Sequence, residues 1–359
     1  MLHPTVERVG LDRLDATWNP FQSQFWAKAK RVASWRAFAF RFTYSSDDGS
    51  ESESTVVMVL VRRLVFRLRI AYVPFGPDHS AYRCDPADLT RDFARLVRPL
   101  LPKGTAFIRF DLPWGEPDNE QVAPVLGKNL RTCNESVQPE ATARIDLSDG
   151  YDAVRIRYRE RARRNVRKAQ AKSIRIETWN GDPRTFEAWY SVYVDTAKRD
   201  GFTARSASYI RNFLDIGASD VRSILYVARY GSAILGGAII LESPAVALYL
   251  YGASLRVDGC SPSYLLQDYA IREACSHGCK VYDLYGISGP QQRGSHLEGL
   301  RLFKRAFGGY VCYRPQSFDY VYRHLTRFLY ANFENIRFKI HRKRHPKRMS
   351  QQYSISTEE

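Results

Sequence analysis

The chain sets out the same succession of segments twice. In its first half the apolar run "LVFRLRIAYVPFGP" ends in a Pro/Gly turn, "DPADLTRDFARLVRPLL" follows, and "AFIRFDLPW" carries an acid, Asp111. In its second half "AVALYLYGAS" ends at Gly252, "SPSYLLQDYAIREACSHG" follows, and "KVYDLYGIS" carries an acid, Asp283. The outer segments have the β-branched and aromatic content of strands. The middle ones are helices. Asp85 is placed to cap the first, which has Leu89, Phe93, Leu96 and Leu100 at helical spacing. Ser261 or Ser263 is placed to cap the second, with Pro262 near its start. Two α/β halves, each a mixed sheet flanked by helices, account for this order. Chance recurrence of one strand–helix–strand unit is the alternative.

At 359 residues the chain has room for two domains. The polar, turn-rich "GEPDNEQVAPVLGKNL" leads to "ATARIDLSDGYDAV", where Ser148 or Asp149 is placed to cap a new helix. This sets the boundary at residues 1–145 and 146–315. From Tyr313 on, the sequence predicts a Pro-containing strand, an aromatic helix from Tyr320 to Phe338, and a basic, then polar tail over residues 339–359.

A formal net charge of +16 attracts polyanions: nucleic acid, phosphorylated substrates or an anionic membrane surface. The N-terminal "MLHPTVERVGLDRLD" has early acids and no apolar core, unlike a secretory signal. The most apolar stretch, Ala233 to Leu241, is broken by Glu242, Ser243 and Pro244, well short of the ~18 to 20 apolar residues of a membrane span. The expectation is a soluble, cytoplasmic protein. Six scattered cysteines are too sparse for a disulfide scaffold. Cys275, His277 and Cys279 lie close together without a second ligand pair, which suits packed thiols better than a metal.

Charge is densest in "YDAVRIRYRERARRNVRKAQAKSIRIE", read as one helix. Val154, Tyr158, Ala162, Val166 and Ala169 form its apolar stripe, and Arg159, Arg163, Arg164, Arg167 and Lys168 belong to the cationic remainder. Few acids neutralise it within the helix, so it is either a solvated face or a contact for a phosphate backbone. The basic run "IRFKIHRKRHPKR" near the end could bind RNA or anionic lipid, or be a tail without a role. In "GLRLFKRAFGG" Leu300, Phe303 and Phe307 share a face and Arg301 and Arg305 point away, but Lys304 sits on the shoulder of the apolar stripe. It is either a snorkelling lysine or an ammonium with a task.

The sequence holds no Walker loop, dinucleotide fingerprint, HExxH or GxSxG, and the loop "GISGPQQRGSH" lacks the spacing of a phosphate cradle. An enzyme built this way relies on positioning and electrostatics, without a bound cofactor or metal.

Eight stretches in order, "AYVPFGP", "FIRFDLP", "QPEATARIDLS", "RYRERARRNVRKAQ", "DTAKRDGFTARSASY", "LYLYGAS", "YDLYGIS" and "GLRLFKRAFGG", together with "NPFQSQFWAKAK", resemble the Fem-type (FemA, FemB, FemX) aminoacyltransferases that build peptidoglycan interpeptide bridges. The resemblance implies two acetyltransferase-like domains, with the segment at about 316–338 returning to complete the first. About twenty residues separate "SIRIETWNGDP" from "DTAKRDGF", too few for the helical hairpin inserted in some members, so the chain resembles the shorter FemX-like form.

The implied reaction moves an amino acid from aminoacyl-tRNA onto an amine of lipid II or UDP-MurNAc-pentapeptide. The implied protein is a monomer, with contact at the inner membrane surface a further expectation. By motif match, Lys30 and Arg205 meet the precursor's phosphates, Tyr209 and Tyr251 line the site, and Asp111 lies near the peptide end as a candidate base. Ala106 stands where the family has an aromatic residue. Phe303 and Lys304 match a catalytic Phe-Lys pair. An ammonium there would stabilise the oxyanion formed when the amine attacks the ester. Arg159, Arg163, Arg164, Arg167 and Lys168 would contact tRNA. The competing readings are an acyl-CoA-dependent N-acyltransferase of the same fold superfamily and a non-catalytic RNA- or membrane-surface-binding protein.

Overall fold

The structure is a computed structural model. It describes residues 3–45, 52–64, 68–78, 85–134, 136–289 and 298–344, with the backbone alone over 335–344. The strands of the first 135 residues are β1 (His3–Val9), β2 (Arg36–Ser45), β3 (Ser52–Arg63), β4 (Arg69–Val73), β5 (Thr105–Phe110) and β6 (Leu130–Thr132). Then come β7 (Ala141–Asp146), β8 (Arg175–Thr178), β9 (Arg222–Tyr230), β10 (Ala233–Glu242), β11 (Val246–Ser254), β12 (Val281–Gly286), β13 (Tyr310–Tyr313) and β14 (Phe318–Val321). The helices are α1 (Gln24–Arg31), α2 (Pro86–Val97), α3 (Gly150–Ile156), α4 (Glu160–Ala171), α5 (Pro183–Asp200), α6 (Ala207–Leu214), α7 (Pro262–Ser276), α8 (Glu298–Arg305) and α9 (His324–Arg344).

They build two sheets, ordered β1-β2-β3-β4-β5-β14-β6 and β13-β7-β12-β11-β10-β9-β8. Each holds one parallel pair, β4–β5 and β11–β12, and these are the strands joined through α2 and α7. The repeat in the sequence is thus a crossover unit, the connection that parallel neighbours require. The two pairs end differently. Beyond β4–β5, Asp111 N–H donates to Val73 O at 3.1 Å and Gly76 N–H to Asp111 O at 2.8 Å, so the strands stay together. The β11–β12 ladder stops at Leu248 and Asp283 although both strands continue, which leaves a fork. A bulge in β11 lies beside it: Ile239 pairs with Tyr251 and Ile240 with Tyr249. Gly252 is required here, since a Cβ would fall 1.5 Å from the Tyr249 hydroxyl.

Among the described residues there are four apolar cores, three of them large and a small fourth around Ile70, Ala106 and Phe107. One lies between the first sheet and α2, around Phe42, Phe93, Phe110 and Phe318. A second lies under α3, α4, α7 and α8, where Val154, Tyr158, Ala162, Val166 and Ala169 are all buried. The third joins the sheets, with Phe25 and Trp26 of α1 against Phe213, Leu225 and Ile239. Among the described residues no helix is long and apolar enough to cross a membrane.

Several boundaries differ from the sequence reading. The basic segment is two helices, broken over residues 157–159. There Arg159 N–H donates to Ala306 O at 2.8 Å, Tyr158 packs edge-on 5.2 Å from Phe307, and Gly308 fits against the Arg157 carbonyl. The contact with the end of α8 replaces one turn of helix. Helix α2 stops at Val97, so Val97 is buried while Leu100 is largely exposed. Ser261 precedes α7, but its hydroxyl pairs with Ser263 instead of capping the helix, and Asp149 makes no side-chain cap before α3. Tyr320 belongs to β14, and the last helix begins at His324. The tail over 345–359 lies outside the described residues.

Strand β14 threads between β5 and β6 and closes the first sheet. Arg314, at its approach, places Nη1 3.0 Å from Asp111 Oδ1, with both side chains fully buried. Breaking such a pair leaves an uncompensated internal charge. Arg314→Met is therefore expected to cost about 3 to 5 kcal/mol in urea unfolding, with Asp111→Asn/Arg314→Met recovering part of the loss.

Candidate active site

A cleft of about 360 Å³ opens where the two sheets meet. Lys30 and Trp26 reach it from α1, Tyr72 and Arg109 from β4 and β5, Arg205 from the loop before α6, and Tyr251 and Tyr285 from β11 and β12. Tyr330 and Glu334 of α9 close one side.

Lys30 and Arg205 have no carboxylate partner among the described residues. The Lys30 ammonium lies 4.2 Å from the centre of the Trp26 ring, and the Arg205 guanidinium 5.7 Å from that of Tyr209. Burial first, and the Arg205 charge second, lower the Lys30 pKa to about 8. Two cations that repel each other in a shared cleft constitute a place for an anion. Tyr251 stands on the cleft wall, and Tyr209 is joined to it through Phe213, whose ring centre lies 6.0 Å from that of Tyr251 and 6.2 Å from that of Tyr209. Four residues separated by up to 221 positions, Lys30, Arg205, Tyr209 and Tyr251, thus come together.

Lys304 is buried, pointing neither into this cleft nor into water. Its Nζ fills the fork between β11 and β12, donating to the carbonyls of Tyr285 at 2.9 Å and Gly286 at 2.8 Å, 5.6 Å from the centre of the Tyr249 ring. Burial lowers its pKa to about 7, and nearby Asp283 partly offsets the shift. Two successive carbonyls converge on one ammonium because Tyr285 takes a left-handed backbone, φ 57°. Asp283 holds that turn, accepting from Tyr285 N–H at 2.8 Å while bound to Arg144 Nε at 2.9 Å and to the Thr142 hydroxyl. A non-glycine residue in this region is strained and persists where its surroundings over-determine it.

The face of α8 differs from the helical-wheel reading. Arg301 is buried, donating to Ser288 O at 2.9 Å, and Leu300 is exposed. The reason is the sheet below: backbone carbonyls at the end of β12 and just after it line the inner side of this short helix and select the two long cations. Phe303 leaves the helix in another direction from Lys304, packing edge-on 4.8 Å from Tyr264 of α7. The charges of Arg161 and Arg164 on α4 act on Tyr264, whose buried hydroxyl has no hydrogen-bond partner among the described residues. Arg159, Arg163, Arg164, Arg167 and Lys168 are exposed along α4 and its start.

Asp111 is no open carboxylate. Besides Arg314, it accepts hydrogen bonds from the Tyr72 and Ser317 hydroxyls and is fully buried. This surrounding does not suit a base that meets a substrate amine directly. Tyr72 does line the cleft. Gln138 Nε2 donates to the Tyr72 hydroxyl at 3.1 Å, and Gln138 Oε1 accepts from the Tyr285 hydroxyl. A polar chain therefore runs from Arg314 through Asp111, Tyr72 and Gln138 to Tyr285, whose carbonyl meets Lys304. Sequence reading missed Tyr72, Gln138, Tyr285 and Arg314. The signal available was the place of Tyr72, Gln138 and Tyr285 within the stretches "AYVPFGP", "QPEATARIDLS" and "YDLYGIS"; Arg314 falls in none of them. His277 Nδ1 lies 3.0 Å from Glu242, and among the described residues no group of three or more potential ligands could hold a metal ion.

Residues 127–230 and 226–335 match the model of the FemAB family. A lipid II:glycine glycyltransferase of Staphylococcus aureus (strain bovine RF122 / ET3-1) is 20% identical over 383 residues, covering 87% of this chain and 89% of the relative. One from Staphylococcus haemolyticus (strain JCSC1435) is 33% identical over 104 residues, 29% of this chain and 24% of its own. The crystal structure of FemX has the same fold, with TM-score 0.69 at 18% identity over 91% of this chain and 99% of that one. With more than half of its length matched by the family model, the chain belongs to the FemAB family and is a transferase.

Proposed function

We propose that this transferase moves an amino acid from aminoacyl-tRNA onto an amine of a peptidoglycan precursor's stem peptide, carried on lipid II or on UDP-MurNAc-pentapeptide. The observation that carries the reading is the pair of cations, Lys30 and Arg205, without a carboxylate partner among the described residues, in a cleft one residue away from the fork that Lys304 fills. Diphosphate oxygens of the acceptor supply the missing anion, and the guanidinium fork suits them. Tyr251 flanks the acceptor, and Tyr209 stands behind it. The lipid II specificity named for the staphylococcal relatives supports this substrate class.

The donor ester enters the fork between β11 and β12. The acceptor nitrogen bonds to the ester carbon, the carbonyl oxygen gains charge, and the bond to the ribose oxygen then breaks. The proton lost by nitrogen ends on that ribose oxygen. Lys304, already held by two carbonyl dipoles, donates to the oxyanion in a site with little water, where such a donor counts most. Phe303 walls the side of α8 that faces α7, and Arg159, Arg163, Arg164, Arg167 and Lys168 provide the surface for the tRNA backbone. Asp111 orients Tyr72 and, through it, Gln138 and Tyr285; in this role it does not take the proton.

Purified protein with charged tRNA and the soluble precursor should lengthen the stem peptide, read by mass spectrometry. Acetyl-CoA in place of charged tRNA should give no product. Absence of transfer from every charged tRNA, or acyl transfer from acetyl-CoA, sinks the reading. Lys304→Met should lower kcat by about 100- to 1000-fold, roughly 3 to 4 kcal/mol, with little change in acceptor binding. Arg205→Met should raise KM for the acceptor and leave kcat nearly intact, since it holds ground and transition states alike.

The burial of Lys304 is testable apart from catalysis. The folded-state pKa of about 7 lies below the ordinary 10.5, so between these values unfolding takes up a proton. Wild-type stability should therefore rise with pH across that window relative to Lys304→Met, as followed by urea unfolding. A difference independent of pH would show the ammonium to be solvated.

A further inference from the structure

The two sides of α9 meet different surroundings. The inner side is tied down. Glu334 accepts from Arg109 at 2.9 Å, Arg327 donates to Asp319 at 3.1 Å, and the Tyr330 ring lies 5.2 Å from Phe107. Tyr330 and Glu334 form one wall of the cleft that contains Lys30 and Arg205. The outer side carries Leu325, Phe328, Leu329 and Phe333, each between 60% and 73% exposed. Their spacing places them in one stripe along the helix. Apolar side chains scattered singly over a surface need no explanation, but a continuous stripe of this size does.

Charge identifies what covers it. From the last turns of α9 onward the sequence holds seven Lys and Arg between Arg337 and Arg348, and no acid follows Glu334 until Glu358. RNA would answer the charge and leave the Leu/Phe stripe wet. A second copy of the chain, docked by two-fold symmetry, would cover the stripe and set like charges against each other. An anionic bilayer surface answers both, since a helix with an apolar face and basic residues lies in the head-group plane.

We propose that α9 is an in-plane membrane anchor, its Leu325/Phe328/Leu329/Phe333 stripe entering an anionic lipid surface and holding the cleft at the bilayer. The proposal rests on the reading above in one respect: an acceptor carried on a lipid has to be met at that surface. The helix that touches the membrane is also the helix that walls the acceptor site, so docking and substrate capture share one element.

The test is co-sedimentation of the full chain with vesicles of phosphatidylcholine containing phosphatidylglycerol, and with phosphatidylcholine alone. The protein should partition onto the anionic vesicles and less onto the neutral ones, and salt should weaken the binding. Phe328→Ser/Phe333→Ser should lower partition at least about tenfold, and Leu325→Gln/Leu329→Gln should do the same. Transfer to the soluble UDP-linked acceptor should stay at the wild-type rate in both variants, which also reports correct folding. Transfer to lipid II in vesicles should fall. No partition of the wild-type protein, equal partition of both variants, or a dimer that the variants abolish without any vesicle binding each overturns the anchor. The sedimentation needs no turnover, so a failure of the transfer reaction counts against the reaction alone.

Discussion

The molecule depends on a core that neither sheet owns. Phe25 and Trp26 of α1 sit between the halves, and Phe25 meets Phe213 edge-on at 5.0 Å. Around them Asp220, from the second half, accepts from the N–H of Gln24 at 2.6 Å at the start of α1. Lys28 reaches across to Gly217 O at 2.7 Å. Burial of these aromatic side chains costs a large apolar area if the halves part. The cleft is consequently a fixed gap, and Lys30, on the same helix, is delivered to it by the residues that seal the interface.

Within that frame the second sheet does something the first does not. The parallel pair β4–β5 is kept closed by backbone bonds through Asp111, while β11–β12 opens after Asp283. Orphaned carbonyls inside a protein are costly, and the ammonium of Lys304 answers two of them. Among the described residues its charge has in turn no direct carboxylate contact, only Asp283 at the edge of the fork. The fork is therefore a polar opening balanced on one side chain. It is joined to the cleft by Tyr285, whose strained turn belongs to both.

Much of this was legible in the sequence because it is local. The crossover units announced themselves by helical period between two strand-like runs, and the buried stripe Val154–Tyr158–Ala162–Val166–Ala169 survives even though the helix carrying it breaks. The break itself was hidden, since it comes from the carbonyl of Ala306, far along the chain. Arg301 was assigned outward because a charge on a helical wheel is assumed to seek water, whereas here backbone acceptors under α8 bring it in. The link from Tyr72 through Gln138 to Tyr285 joins positions 66 and 147 residues apart and leaves no periodic trace. Individual motifs named Lys30, Arg205 and Tyr251, but only the folded chain makes them neighbours.

Strand β14 carries a consequence for how the protein is made. Every strand of the second sheet lies between Ala141 and Tyr313, so that sheet can be completed from one continuous stretch of chain. The first sheet cannot: β5 and β6 wait for Phe318–Val321, and Arg109 for Asp319 and Glu334. Until then a central edge of the first sheet is unpaired and a buried arginine lacks its carboxylates. On the ribosome, the half that is translated first is therefore the half that matures last. A nascent chain halted before residue 318 would expose an open β edge, the surface that chaperones shield.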